Sequence, residues 1–259
     1  MRIARFTTGD DPRFGVVGGE SGAEVVALVE GDPLYRPVRL TGEHLPLADV
    51  RLLAPVIPRS KVVGVGRNYA DHAVELGQEV PAEPLLFLKP NTAVVGPGDA
   101  IVLPRQSAEV HHEAELAVVI GRVCRDVPPE RAADVVLGYT CANDVTARDL
   151  QRSDGQWARA KGFDSFCPLG PWIETDLDPA DLAVTCDVDG ERRQAGRTSA
   201  MVHDVAALVA YVSQAFTLLP GDVLLTGTPA GVGPLREGEE VSVTIEGIGT
   251  LTNKVVSRE

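Results

Sequence analysis

The 259-residue chain has only four cysteines, Cys124, Cys141, Cys167 and Cys186, and no C-x-x-C pair among them. Their scatter argues against zinc-ribbon or dithiol-redox chemistry and leaves four reduced, mostly buried thiols as the expectation. No apolar run approaches the ~20 residues needed to span a bilayer, and the opening MRIARFTTGDDPRFG lacks the apolar core of a signal peptide. A soluble, cytoplasmic protein with no membrane partner is therefore expected. Basic clusters are missing as well: 24 Lys and Arg stand against 37 Asp and Glu, for a formal net charge of −13. With no positive groove to track phosphates, nucleic acid is not an expected partner.

Several catalytic signatures are absent too. Gly64-Val65-Gly66 begins like a dinucleotide fingerprint, but Tyr69 stands in the third glycine's place, where its bulk blocks close helix packing. The glycine-rich stretch Gly227-Thr228-Pro229-Ala230-Gly231-Val232-Gly233 lacks the Gly-Lys-Ser/Thr ending that holds a phosphate and its Mg²⁺. His112-Glu113 opens an H-E-x-x-H zinc motif, but Leu116 replaces the second histidine, and no G-x-S-x-G offers an elbow-borne serine.

What is present is a concentration of carboxylates on apolar strands. The run Ala114 to Ile120 reads as a buried β-strand, preceded by His111-His112-Glu113. Side chains alternate along a strand, so Glu113 and Glu115 project from one face, roughly 6–7 Å apart along the backbone. Two like charges are tolerable there only beside solvent or around a cation. A third carboxylate, Asp144, sits in the apolar run Val136 to Val145, which also reads as a strand. An E-x-E pattern alone is common on wet sheet faces, but the apolar residues around it argue against full solvation. Three oxygen ligands without cysteine suit a hard divalent cation, Mg²⁺ first, with Mn²⁺ or Ca²⁺ as alternatives.

Short β-like runs at Arg2–Phe6, Phe14–Val17 and Glu24–Val29 predict a small N-terminal β-rich module over 1–57, ending in a Pro55/Pro58 linker, with the larger domain over 58–259. Strands greatly outnumber helices and do not alternate with them, which predicts an α+β, β-rich fold with a mainly antiparallel or mixed sheet. The one long amphipathic helix is expected near Asp204–Phe216. A shorter helix, capped by Asn68 or Asp71 and ended by Gly77, puts His72 and Glu75 three residues apart, where they can meet. Arg148 and Gln151 either line a pocket or hold the loop behind Asp144. Lys89 and His203 read as structural, and His111 and His112 as neighbours behind the carboxylates.

The segments VGVGRNYADHAVELG (63–77), PLLFLKP (84–90), HHEAELAVVIG (111–121), GYTCANDVTARDLQ (138–151), WARAKGFDSFCPLGPW (157–172) and LLTGTPAGVGP (224–234) together resemble the fumarylacetoacetate hydrolase family. The likeness is to its short-chain branch of acylpyruvases, oxaloacetate decarboxylases and 2-hydroxyhepta-2,4-diene-1,7-dioate isomerases. It implies the mixed β-sheet fold of that family, a homodimer, and Mg²⁺ or Mn²⁺ held by Glu113, Glu115 and Asp144. It also implies that Arg67 and Thr228 contact the substrate acid, that Lys161 lies near the metal, and that His72 and Glu75 form a dyad on a segment that orders over ligand.

The expected substrate is a small 2-oxo acid. Enolate charge on its keto oxygen is stabilised by the cation and Lys161, while His72, oriented by Glu75, deprotonates the water that attacks the distal carbonyl of an acylpyruvate. Decarboxylation of oxaloacetate or isomerisation of a dienedioate could use the same electron sink. A metal-binding protein without turnover is the alternative of another class.

Overall fold

The structure, a computed structural model, describes residues 1–258 except 21, 76 and 78. A 12-stranded sheet organises it, running in the order Leu40–Pro46, Val25–Val29, Arg13–Gly18, Arg2–Thr7, Cys167–Glu174, Val136–Asn143, Ala114–Ile120, Val223–Leu225, Val62–Gly66 and Leu85–Lys89. Arg51–Leu53 pairs with Arg2–Thr7, and Val94–Val95 with Cys167–Glu174. Most pairings are antiparallel, but Val223–Leu225 runs parallel to Val62–Gly66, so the sheet is mixed. The fold is thus the β-rich α+β type that the sequence predicts.

Ala114–Ile120 lies between Val136–Asn143 and Val223–Leu225, and every residue in it is buried. Its apolar side chains feed two cores. Leu116, Val118 and Ile120 face one, and Ala117 and Val119 face the other. Strands buried on both faces read as continuous hydrophobic runs, which is why AELAVVI shows no polar alternation beyond its glutamate.

A five-stranded sheet, ordered Glu191–Arg197, Ala183–Val188, Glu240–Ile245, Gly249–Ser257 and Ile101–Leu103, covers one side of this core. A smaller sheet joins Thr146–Ala147, Val110–His112 and Gly233–Pro234. The helix Val205–Ala215 starts where Asp204 accepts a hydrogen bond from the Ala207 N–H (2.8 Å), and it buries Leu208, Val209 and Val212. No helix among the described residues is long and apolar enough to cross a membrane.

Two glycines in Val62–Gly66 give the neighbouring edge strand room for aromatic rings. A Cβ at Gly64 would stand 2.1 Å from the Phe87 ring, and one at Gly66 would stand 2.6 Å from Trp157. Cross-strand register places Gly64 opposite Phe87 and Gly66 opposite Leu85, so Phe87 and Leu85 share the face on which Trp157 lies. The VGVG pattern, which begins like a nucleotide fingerprint, serves here to pack aromatic side chains.

Candidate active site

Antiparallel register brings the three carboxylates together. Ala114 pairs with Asn143, so Glu113 and Asp144, one step beyond each, are neighbours. The Asp144 N–H donates to the Glu113 carbonyl (2.9 Å), and the Glu113 N–H donates to Asn143 Oδ1 (2.9 Å). Glu113, Glu115 and Asp144 are buried, and each offers an oxygen within 4.8 Å of the others'.

Three cationic side chains surround this cluster. Lys161, on the helix Ala158–Gly162, donates to Glu113 Oε2 (2.7 Å) and to Asp144 Oδ2 (2.5 Å). Arg148, first in the helix Arg148–Asp154, donates to Glu113 Oε1 and, through its other terminal nitrogen, to Gln151 Oε1 (2.9 Å). Of the two options for Arg148 and Gln151, the structure has both lining the cavity, and Arg148 braces Glu113 rather than the loop behind Asp144. Lys89, which the sequence suggests is structural, ends the strand Leu85–Lys89 and donates to Asp144 Oδ1 at 2.5 Å. The available signal was a lysine closing an apolar strand, because a fully buried lysine needs a partner.

The charges are unevenly matched. Burial alone raises the Glu113 carboxyl, but Arg148, Lys161 and His72 outweigh it and hold the group well below the usual carboxylate range. Glu115 is pushed well above that range by burial and by the charges of Asp144 and Glu113. Its hydrogen bond comes from the Gly227 N–H (2.7 Å), and among the described residues no lysine or arginine forms an ion pair with it. A buried carboxylate lacking a counter-charge, beside two others on convergent backbones, is the donor set a hard divalent cation takes. The residues fit such an ion. Lys161 stays protonated because Asp144 and Glu113 more than offset its burial.

The remaining predicted residues converge on the same place. A cavity of about 20 Å³, room for roughly one water, is lined by Arg67, His72, Glu113, Glu115, Arg148, Gln151, Lys161 and Thr228, together with Val65, Gly66 and Trp157. Arg67 is left-handed (φ 59°), and Asn68 pins that turn by donating to the carbonyls of His203 (2.9 Å) and Thr226 (2.8 Å). The Arg67 Nε is buried with no partner among the described residues. His72, on the helix Ala70–Glu75, places Nδ1 3.2 Å from Glu75 Oε2. Glu75 also accepts from the Gly231 N–H (3.0 and 3.2 Å), which ties the helix to the glycine-rich loop. The expected ordering segment, from about Tyr69 to Pro81, includes residues 76 and 78, which lie outside the described residues.

One residue of this network has no sequence signal. Gln194, on the polar strand Glu191–Arg197, is fully buried, and its amide fills all four of its hydrogen-bonding positions. Its Oε1 meets His112 Nδ1 (3.0 Å) and accepts from the Ala114 N–H (3.0 Å). Its Nε2 donates to Thr228 Oγ1 (2.7 Å) and the Pro229 carbonyl (2.8 Å). Thr228 in turn donates to the Ala114 carbonyl (2.8 Å), between the two glutamates. Burial pushes His111 down to about 4 and His112 below its ordinary value, so neither adds positive charge at neutral pH.

Comparison with known proteins agrees with this architecture. Residues 61–256 match the fumarylacetoacetate (FAA) hydrolase C-terminal family, and residues 1–55 match the Rv2993c-like N-terminal family. The chain is 48% identical over 224 residues to human mitochondrial oxaloacetate tautomerase FAHD2A, covering 82% of this chain and 71% of that one. A 5-carboxymethyl-2-hydroxymuconate delta-isomerase from Mycobacterium smegmatis superposes with a TM-score of 0.93 at 53% identity, covering all of both chains. A maleylpyruvate hydrolase from Sphingobium sp. SYK-6, solved with manganese(II) and pyruvate, superposes at 0.82 with 34% identity, again over both whole chains. With the carboxylate cluster, its sheet and the match over residues 61–256 in agreement, the chain belongs to the fumarylacetoacetate hydrolase family.

Proposed function

We propose that the protein is a divalent-metal-dependent hydrolase that cleaves a carbon–carbon bond in acylpyruvate-type 2-oxo acids, fumarylpyruvate-like compounds among them. The observation that carries this is that His72, paired with Glu75, lines the same small cavity as Lys161, Glu113 and Glu115, with Asp144 hydrogen-bonded to that lysine. Glu113, Glu115 and Asp144 would hold the cation, Mg²⁺ or Mn²⁺, with Ca²⁺ as a substitute. When bound, it supplies Lewis-acid stabilisation of negative charge on the substrate's oxygens.

The side chains supply the rest. Arg67 and Thr228 orient the substrate acid at the cavity wall, with Arg148 and Gln151 behind it. Glu75 accepts the Nδ1–H of His72, which leaves the Nε2 lone pair to take a proton from water. The water oxygen adds to the distal carbonyl carbon, and the C3–C4 bond then breaks. Its electron pair passes through C3 to the C2 carbonyl oxygen, giving the enolate of pyruvate and a carboxylic acid. Lys161 spends two N–H groups on Glu113 and Asp144, and the third is left for that developing oxyanion.

A second activity, interconversion of the keto and enol forms of oxaloacetate, is supported by the 48% identity to the human tautomerase. Decarboxylation of oxaloacetate and isomerisation of a dienedioate draw on the same electron sink. Assaying 2-oxo acids with and without EDTA tests the proposal: metal-dependent release of pyruvate from acylpyruvates supports it, and turnover insensitive to EDTA contradicts it.

The proposal takes 1–57 as a small module and 58–259 as the catalytic domain. Separate family matches over 1–55 and 61–256 support that division, although Arg2–Thr7 is hydrogen-bonded into the main sheet. A cytoplasmic homodimer completes the proposal, and sedimentation of the purified protein tests the assembly.

A further inference from the structure

The inner cavity has room for roughly one water, so a ligand seated against the carboxylates has little space there beyond its reacting atoms. Arg67 and Trp157 also line a second, larger chamber of about 510 Å³, so the two spaces adjoin across this pair. The chamber lies between the edge strand Leu85–Lys89 and the turn 155–158. Leu85 and Phe87 face it from the active-site side of the sheet, and Trp157 meets the Phe87 ring edge-on, with centroids 5.5 Å apart. Gln156 is the polar side chain of the turn, and Arg67 is the chamber's charged group.

We infer that this chamber receives the distal substituent of the substrate, and that the substituent presents a planar hydrocarbon face next to the reacting carbonyl, an aryl or alkenyl group attached at C4 of a 2,4-dioxo acid. This rests on the proposed 2-oxo acid chemistry and adds to it a substrate class. The Leu85, Phe87 and Trp157 side chains offer area burial and aromatic contact to a planar hydrocarbon. Among the described residues no carboxylate lines the chamber, so a cationic substituent would meet Arg67 and is disfavoured. Arg67, at the junction, is placed to hold the substrate's C1 carboxylate and leave the space beyond it to the hydrocarbon. Leu85 and Trp157 are then the residues that set specificity.

The test is equilibrium binding to the full-length, Mn²⁺-loaded protein, using oxalate, 2,4-dioxopentanoate and 2,4-dioxo-4-phenylbutanoate as probes. The phenyl compound should bind roughly tenfold or more tightly than the methyl compound, the scale expected for burying the additional apolar surface. Leu85→Asp should reduce that ratio to within about threefold while oxalate affinity is unchanged. Leu85 is 36% exposed, so the introduced carboxylate can reach water, and an unchanged melting temperature checks that the fold is kept. Trp157→Ala should lower the ratio as well, with unchanged oxalate affinity required only of Leu85→Asp because Trp157 also lines the inner cavity. Equal affinity for the two dioxo acids, with oxalate still bound, overturns the inference alone, as does a phenyl preference that survives both substitutions. Absence of oxalate binding overturns the functional proposal, and the inference with it.

Discussion

Lys89 Nζ lies 2.5 Å from Asp144 Oδ1, and both side chains are fully buried. Lys161 grips the other Asp144 oxygen at 2.5 Å, so one carboxylate is held between two ammonium groups. Removing one partner of a buried ion pair costs up to about 3–5 kcal/mol, and without Lys89 the Asp144 carboxylate keeps Lys161 alone, which it shares with Glu113. Lys89→Met is therefore expected to lower stability strongly in EDTA. The loss should be smaller in saturating Mg²⁺, since a cation at the cluster supplies the missing charge. Denaturant midpoints in the two buffers measure this, and an unchanged midpoint in EDTA would show that the pair contributes nothing.

Glu115 is the opposite case, a buried carboxylate repelled by Asp144 and Glu113 and held by the Gly227 N–H. Glu115→Gln removes that repulsion and a ligand together. The metal-free variant should be at least as stable as wild type. Its melting temperature should not respond to Mg²⁺, whereas wild type should gain about 2.7 kcal/mol at a metal concentration 100 times its Kd. Undiminished Mg²⁺ affinity in the variant would remove Glu115 from the ligand set.

Gln194 positions other groups without lining the cavity itself. Gln194→Met strips partners from His112, the Ala114 N–H, Thr228 and the Pro229 carbonyl, at about 1–3 kcal/mol per buried group left unsatisfied. Because Thr228 loses its anchor, KM for the 2-oxo acid should rise more than kcat falls. A loss confined to stability, with KM unchanged, would make Gln194 purely architectural.

The helix Ala70–Glu75 has only six residues, Val74 is 75% exposed, and Glu75 ties it to the Gly231 N–H. Such an element has little to bury and opens readily. Amide exchange in this helix should slow on addition of oxalate with Mg²⁺. Equal protection in both states would contradict closure over ligand.

Much of this site was legible because it is carried by strand periodicity. Glu115 stands in an apolar strand, while Glu113 and Asp144 fall one residue outside Ala114–Ile120 and Val136–Asn143, so cross-strand register rather than alternation brings those two together. Lys89 was harder to place, since its role depends on where the edge strand ends relative to Asp144, a tertiary relationship. Gln194 was not legible: ERRQAGR is polar throughout, and one buried position in seven leaves no pattern. Cys167–Glu174, a strand paired on both sides, was hidden by the prolines and glycine of CPLGPWIE, which read locally as breakers. The glycines at 64 and 66 were visible, but their purpose depends on Phe87 and Trp157, which arrive from other segments.

The most direct test concerns His72, because hydrolysis needs an activated water whereas decarboxylation of oxaloacetate needs only an electron sink. The measurement is kcat for acylpyruvate hydrolysis and for oxaloacetate decarboxylation in wild type, His72→Ala and Lys161→Ala, at saturating Mg²⁺ with metal occupancy determined independently. His72→Ala should lower hydrolysis by roughly 10²-fold or more, the scale of losing a general base, and lower any decarboxylation much less. Lys161→Ala should depress both, since both place charge on the same oxygen. Hydrolysis left intact by His72→Ala would contradict the account.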